Sequence, residues 1–156
     1  MSHLLTLIPT WPTIITVLTY AVMTFVLLPC ALQDHRTHEI SNWLTVPLFF
    51  LAWPAAIYLN TLTLTFATFL GFWLAFKLGG GMGPADGKIA VAVAALTPLG
   101  LLAGIAVSGL VFLWQRLRRR PPGSIPGAVT FYAGVVISFL LLVSIKLISP
   151  AHLVIS

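Results

Sequence analysis

Long apolar stretches separated by short polar segments make up almost the whole chain. A membrane-spanning helix needs about 20 apolar residues, with a range of about 17 to 25. Runs of this kind predict helices over residues 13–32, 43–59, 62–78, 89–114 and 125 to about 147. The first run lacks a positively charged leading segment and a small-residue cleavage site, so we interpret it as a retained helix rather than a signal peptide.

The run over residues 89–114 is either one helix, which gives five spans, or two helices broken at residues 98–100, which gives six. Basic residues gather on the cytoplasmic side of a membrane. Six spans place seven of the eight basic residues on one face, whereas five would separate the arginines at 116–120 from the other three. The sequence therefore predicts an all-α, polytopic membrane helix bundle of about six transmembrane helices, with both termini extracytoplasmic. The two halves around Pro98 are expected to be short, about 12 and 15 residues, as is tolerable beside a wet cavity.

The composition supports this class. Of the 156 residues 59% are hydrophobic and 7% charged, whereas soluble domains carry about a quarter charged residues. We expect one integral membrane domain over residues 1–156 and no appended soluble domain.

The single cysteine, Cys30, permits neither an internal disulfide nor a thiolate metal cluster. The net charge of +5 is interpreted as an orientation signal, with no nucleic-acid partner. We expect four arginines to fix topology and contact anionic membrane lipid: Arg116, Arg118, Arg119 and Arg120.

The chain has three acidic residues, Asp34, Glu39 and Asp86, and the predicted topology places all three on one face. Asp34 follows the first predicted span and Asp86 precedes the fourth. Two carboxylates a few ångströms apart share a proton, so one can act as a general base on water while the other protonates the developing oxyanion and the leaving amine. The alternative is that Asp34 and Glu39 are solvated loop residues and that Asp86 is an N-terminal helix residue favoured by the helix dipole.

Two other motifs do not support a cofactor. The glycine-rich segment 79–88 fails the phosphate-loop pattern, because Met82 stands where a glycine is required and Ile89 follows Lys88. His35 and His38 have a spacing compatible with a metal, but their order differs from His-Glu-x-x-His. We therefore expect neither a nucleotide, a metal nor another cofactor.

Residues 34–42 and 81–88 resemble the two signature motifs of the type IV prepilin peptidases. The first motif is Asp34-x-Arg36-x-x-x-Ile40-Ser41-Asn42, and the second is Gly81-Met-Gly83-Pro-Ala85-Asp86-Gly-Lys88. Six spans with both aspartates cytoplasmic are also the layout of that family. The Ser-Ile-Pro sequence at 124–126, leading into the last helix, is a weaker similarity.

The resemblance implies an aspartic endopeptidase in the inner membrane, with Asp34 and Asp86 as its catalytic pair. Its partner would be a prepilin or pseudopilin, whose basic leader is removed at the cytoplasmic face, before a hydrophobic helix. The remaining motif residues would bind substrate or support the motifs: Arg36, Glu39, Asn42, Gly81, Gly83 and Lys88. The sequence lacks the methyltransferase insert and paired Cys-x-x-Cys elements of the bifunctional enzymes, which favours a short, peptidase-only form.

Two departures from the family pattern leave alternatives open. Ser41 replaces the usual proline, and serine is also a good helix N-cap. Ala85 replaces the glycine before the second aspartate. If that glycine takes a positive φ, alanine would be strained there, which would shift Asp86 or alter the choice of substrate. One alternative is therefore a catalytically dead, prepilin-binding homologue. A further alternative is a small proton- or ion-coupled transporter that uses the same carboxylates. Glu39 either receives the basic leader or is a solvated charge.

Overall fold

The computed structural model describes residues 13–78, 83–118 and 127–148. These residues form six α-helices: α1 (Thr13–Thr37), α2 (Asn42–Tyr58), α3 (Leu62–Lys77), α4 (Pro84–Leu96), α5 (Pro98–Leu117) and α6 (Gly127–Ile148). The all-α prediction is confirmed for these described residues. Three helices contain segments long and apolar enough to cross a membrane, namely Ile15–Thr37, Pro98–Leu117 and Gly127–Ile145, while α2 and α3 are shorter apolar helices. The number of spans and the side of each terminus stay predictions.

The first helix runs further than its apolar pattern predicts. It was expected to end at residue 32, but α1 continues to Thr37, so Asp34 lies in the last turns of a helix and not in a loop. His38 ends the helix with a positive φ of 53°. Thr37 stabilises this end, because its hydroxyl donates to the Gln33 carbonyl at 2.9 Å and accepts the Glu39 N–H at 3.3 Å.

The predicted break in the long apolar run is confirmed between Leu96 and Pro98. Proline has no N–H to donate back into the preceding helix and disfavours helical backbone in the residue before it, and Thr97 accordingly has a φ of −139° and a ψ of 70°. The first half has 13 residues, close to expectation. The second half has 20 residues rather than about 15, because α5 begins at Pro98 itself and continues past Trp114 to Leu117, into the segment predicted to be the basic loop.

Helix α4 lies at the centre of the bundle. Every residue from Ile89 to Ala95 is buried, and α4 packs against each of the other five helices. Its alternating alanine and valine side chains are small, which lets neighbouring helices approach on all sides. The Thr61 hydroxyl donates to the Ala95 carbonyl at 2.8 Å and so satisfies one of the carbonyls at the end of α4 that have no partner within the helix.

Helices α5 and α6 form a close antiparallel pair. A Cβ on Gly104 would lie 2.8 Å from the Phe131 ring and 3.1 Å from its Cα, and a Cβ on Gly100 would lie 2.8 Å from Val135. The Ser108 hydroxyl donates to Thr130 Oγ1 at 2.8 Å across the same interface. Glycines therefore let these two backbones approach more closely than side chains would permit.

Cross-helix contacts bring six helix ends together at one end of the bundle, which we call the site end. Asp34, near the end of α1, contacts Ala128 at the start of α6. Lys88, near the start of α4, contacts Asn42 at the start of α2. Helix α3 starts beside the far end of α4 and α5 is antiparallel to α6, so both end at the site end.

Candidate active site

Asp34 is a buried carboxylate with a main-chain partner. Its residue exposure is 5%, and its Oδ2 accepts the Ala128 N–H at 2.9 Å. The first N–H groups of a helix have no partner within the helix, and the positive end of the helix dipole favours a negative charge. The start of α6 thus replaces part of the hydration that the Asp34 carboxylate loses when it is buried. The alternative that Asp34 is a solvated loop residue is wrong.

Asp86 lies in the first turn of α4, ahead of the apolar run that begins at Ile89. Its Oδ2 accepts the N–H of the N-cap residue Gly83 at 3.2 Å, so it is also the helix-start acid of the alternative interpretation. Burial raises the pKa of this carboxyl above its ordinary value; the Gly83 hydrogen bond opposes the rise, and the charge of Asp34 adds to it. The pKa of an ordinary exposed carboxylate at a helix start would not be raised, so Asp86 is a half-buried acid that is protonated more readily than an exposed aspartate.

The two aspartates meet at consecutive residues of α6. Ala128 donates its N–H to Asp34, and a Cβ on its neighbour Gly127 would lie 2.5 Å from both Cγ and Oδ1 of Asp86. The charge of Asp34 is close enough to influence the pKa of Asp86. One helix start therefore holds both carboxylates.

Gly127 and Ala128 were not identified from the sequence. The one available signal was a glycine directly after Pro126 at the start of the last apolar run, next to the weaker family similarity at residues 124–126, which lie outside the described residues. Nothing in that signal indicates which carboxylates these two residues contact, because Asp34 lies 94 residues before Ala128 and Asp86 about 40 residues before Gly127 in the chain.

The structure brings together two further motif residues. Lys88 Nζ donates to Asn42 Oδ1 at 2.7 Å, which joins the starts of α2 and α4. Ser41 is the N-cap of α2, as expected, and its hydroxyl accepts the Trp43 N–H at 3.3 Å. The Ser41 N–H also donates to Gln33 Oε1 at 3.2 Å, which fastens the turn between α1 and α2 to α1.

The other candidate residues lie at the surface or outside the described residues. Arg36, Glu39, His35 and His38 are all exposed. Exposure of Glu39 agrees with a solvated charge and leaves its contact with a leader untested. No group of three or more His, Cys, Asp and Glu side chains suited to a metal occurs within residues 13–78, 83–118 and 127–148. Gly81 lies in the segment that the structure does not describe.

The alanine in the second motif is unstrained. Ala85 lies within the first turn of α4, and the described residues other than glycine that adopt a positive φ are His38 and Asn60. The backbone at position 85 thus has no need of glycine. This removes the conformational reason for regarding the chain as an inactive homologue.

The fold is that of an apolar helical membrane protein in which two carboxylates lie against the start of one helix. The model of the Type IV leader peptidase family matches residues 21–146, and the chain belongs to this family. The match includes both aspartates and agrees with the family resemblance of the two motifs. The protein is accordingly a membrane peptidase. Comparisons with curated proteins and with solved structures found no match.

Proposed function

We propose that this protein is an aspartic endopeptidase that removes the basic leader from type IV prepilin-like substrates. The observation that carries the proposal is the convergence of Asp34 and Asp86 on the first turn of α6. Membership of the Type IV leader peptidase family supports the substrate class. Family membership also favours peptide hydrolysis over ion transport as the reaction that this carboxylate pair supports.

The surroundings of the two carboxylates suggest different roles for them. The raised pKa of Asp86 supports its assignment as the member of the pair that holds the proton. Both carboxylates accept a main-chain N–H at a helix start, Asp34 at 2.9 Å and Asp86 at 3.2 Å, and the shorter hydrogen bond suits the charged acceptor. We therefore assign Asp34 as the general base and Asp86 as the general acid, although the proton belongs to the pair and the apparent pKa values are joint properties.

The reaction follows from this assignment. Asp34 takes a proton from a water molecule as the water oxygen attacks the carbonyl carbon of the scissile peptide bond. Asp86 donates its proton to the carbonyl oxygen, which would otherwise become an oxyanion. When the tetrahedral intermediate collapses, the carbon–nitrogen bond breaks, Asp34 passes its proton to the leaving amine, and Asp86 recovers one from the hydroxyl. Both groups then return to their starting protonation states.

Basic side chains at the site end support cleavage at the cytoplasmic face. Described helix ends there carry Arg36, Lys77, Lys88, Arg116 and Arg118. Since basic residues concentrate on the cytoplasmic side, we propose a multi-pass protein of the inner membrane whose site end faces the cytoplasm. Arg116 and Arg118 at the end of α5 would then contact anionic lipid, as the sequence predicts.

The test is cleavage of a prepilin-like substrate by the purified chain in detergent. Asp34→Asn and Asp86→Asn should each lower the cleavage rate at least about 1,000-fold, since each removes half of an acid–base pair. Thr63→Val, an exposed change on α3, should keep the wild-type rate. Normal cleavage by either asparagine variant contradicts the proposed pair. Proton flux into liposomes that requires Asp86, without any peptide cleavage, would instead establish the transporter.

A further inference from the structure

The start of α6 makes contacts to the carboxylate pair that neither signature motif contains. On the Asp86 side, Gly127 leaves no room for a side chain: an added Cβ would lie 2.5 Å from Cγ and Oδ1 and 3.0 Å from Oδ2. Gly83 also adjoins this carboxylate, yet a Cβ there would lie an ordinary 3.6 Å from Oδ2. Among the described glycines beside Asp86, Gly127 is thus the one that excludes a side chain.

The first turn of α6 cannot simply move away from Asp86. The Thr130 hydroxyl donates a hydrogen bond to the Gly127 carbonyl at 2.8 Å. The same hydroxyl accepts a hydrogen bond from the Ser108 hydroxyl of α5 at 2.8 Å. One turn further on, Phe131 packs against Gly104. An added methyl group at position 127 would therefore displace the Asp86 side chain rather than the helix.

Ala128 acts on the other carboxylate through its main chain. Its N–H is the described hydrogen-bond donor to Asp34 Oδ2, and Ala128 itself is fully buried. We propose that Gly127 and Ala128 are positioning residues, which hold Asp86 and Asp34 in the arrangement that peptide hydrolysis requires. This inference rests on the proposed function for its meaning in catalysis, but its geometric part can be measured without a substrate.

The size of the effect follows from the distances. Contacts of a Cβ with a carboxylate are ordinary at about 3.4 Å or more, so an alanine at position 127 must displace Asp86 by roughly 1 Å. A displacement of this size lowers the rate of an enzyme by about 100-fold. Substrate binding would change little, because Gly127 acts through Asp86.

The first experiment compares Gly127→Ala with Gly71→Ala, a helix glycine whose added Cβ would meet nothing within 4 Å. We expect Gly127→Ala to lower kcat about 100-fold with KM within about twofold of wild type, and Gly71→Ala to change neither. A folded Gly127→Ala variant with wild-type kcat overturns the assignment of Gly127.

A second measurement needs no substrate. The chain has two aspartates, Asp34 and Asp86, so selective 13C labelling of aspartate gives two carboxyl signals to titrate by NMR. We expect the Asp86 midpoint to fall toward the ordinary aspartate value in Gly127→Ala, because the displaced carboxyl loses part of the burial that raises its pKa. An unchanged midpoint in the folded variant would contradict displacement. If the wild-type chain cleaves no prepilin, the proposed function fails, and this titration still decides the geometry.

The contribution of Ala128 is tested with proline, which removes one N–H. Proline is tolerated in the first turn of a helix, where no intrahelical hydrogen bond is lost. Ala128→Pro should move the acid limb of the pH–rate profile and lower kcat, whereas Val129→Pro, one residue further on, should do neither. Equal profiles for the two proline variants would overturn the role of the Ala128 N–H. If Gly127→Ala fails to fold, this pair alone decides the proposal.

Discussion

Asp86 occupies a position that suits catalysis better than stability. It sits half-buried at the start of α4, and burial raises its pKa. A carboxyl with a raised pKa in the folded protein is less stable when ionised there than in the unfolded chain. The fold therefore holds an acid whose charge works against it, as active sites commonly do.

This residue makes stability depend on pH in a definite direction. Because the folded pKa of Asp86 lies above the unfolded value, its contribution to stability is complete below that unfolded value, about 4, and is lost as the pH rises through the folded pKa. Asp86→Asn is never charged and keeps an oxygen for the Gly83 N–H. We expect it to melt at a higher temperature than wild type at pH 7 and at the same temperature near pH 3.

The measurement is thermal unfolding in detergent across this pH range. Asp34 and Glu39 are present in both proteins, so their titration largely cancels in the comparison. A melting temperature for Asp86→Asn that equals the wild-type value at pH 7 would show that the ionised carboxylate carries no penalty.

At the same scale, the sequence identified both aspartates but not their environments. Their number and motif setting could be read because the chain has so few acids. The burial of Asp34 could not be read, since residues 33–37 are polar and gave the appearance of a loop. Its partner is a main-chain N–H on α6. Almost any residue type can provide a main-chain N–H, so the sequence does not indicate which residue is the donor.

At the scale of helices, the close approach of α5 and α6 depends on individual glycines. Gly104 lies against the Phe131 backbone, whereas an added Cβ on Gly109, five residues later, would meet nothing within 4 Å. Both are interior residues of the same helix. They therefore form a matched pair that separates the packing of α5 on α6 from helix propensity.

We expect Gly104→Ala to destabilise the protein by about 1–3 kcal/mol, because the methyl group overlaps Phe131 and overpacking costs this much. Gly109→Ala should leave the free energy of unfolding unchanged or raise it by up to about 1 kcal/mol, since alanine favours a helix over glycine. Unfolding of both variants in mixed detergent gives the comparison. Equal destabilisation of the two would mean that the α5–α6 contact is looser than the structure has it.

Helix existence was predictable and helix ends were less so. Hydropathy located five apolar runs, and the distribution of basic residues indicated that the fourth run is two helices. Pro98 located the break, because proline acts through its own covalent structure. The end of α5 was missed, since Gln115 and Arg116 are polar, yet both favour helices. The helix ends of a membrane protein extend beyond its apolar residues, and hydropathy detects only the apolar part.

At the scale of the whole molecule, the site end has the features of a membrane–water interface. Trp73 and Trp114 each lie one turn before a basic residue, with Lys77 Nζ 5.9 Å and Arg118 Cζ 4.4 Å from the ring centroids. Tryptophan and basic side chains gather at such interfaces. The carboxylate pair would then lie near the level of the lipid headgroups, where both water and a basic leader are available.

Orientation can be tested with the natural cysteine content. Cys30 is the only cysteine of the chain and is fully buried, so a membrane-impermeant maleimide should not react with the wild-type protein. Glu39→Cys places an exposed thiol at the site end, and Tyr58→Cys places one at the opposite end, where Tyr58 is 82% exposed. We expect Glu39→Cys to react in inside-out vesicles and Tyr58→Cys in right-side-out vesicles. Reaction of both from the same side would contradict the proposed topology.

The shortness of α4 has a consequence for how the protein reaches its membrane. With 13 residues and a rise of about 1.5 Å per residue, α4 is about 20 Å long, against a hydrocarbon core of about 30 Å. Its apolar part alone is too short to partition into lipid during synthesis, and in the finished protein its buried face contacts other helices all round. We therefore expect helix α4 to enter the bilayer only together with the helices that enclose it, so that membrane insertion and tertiary folding of this chain would be one process.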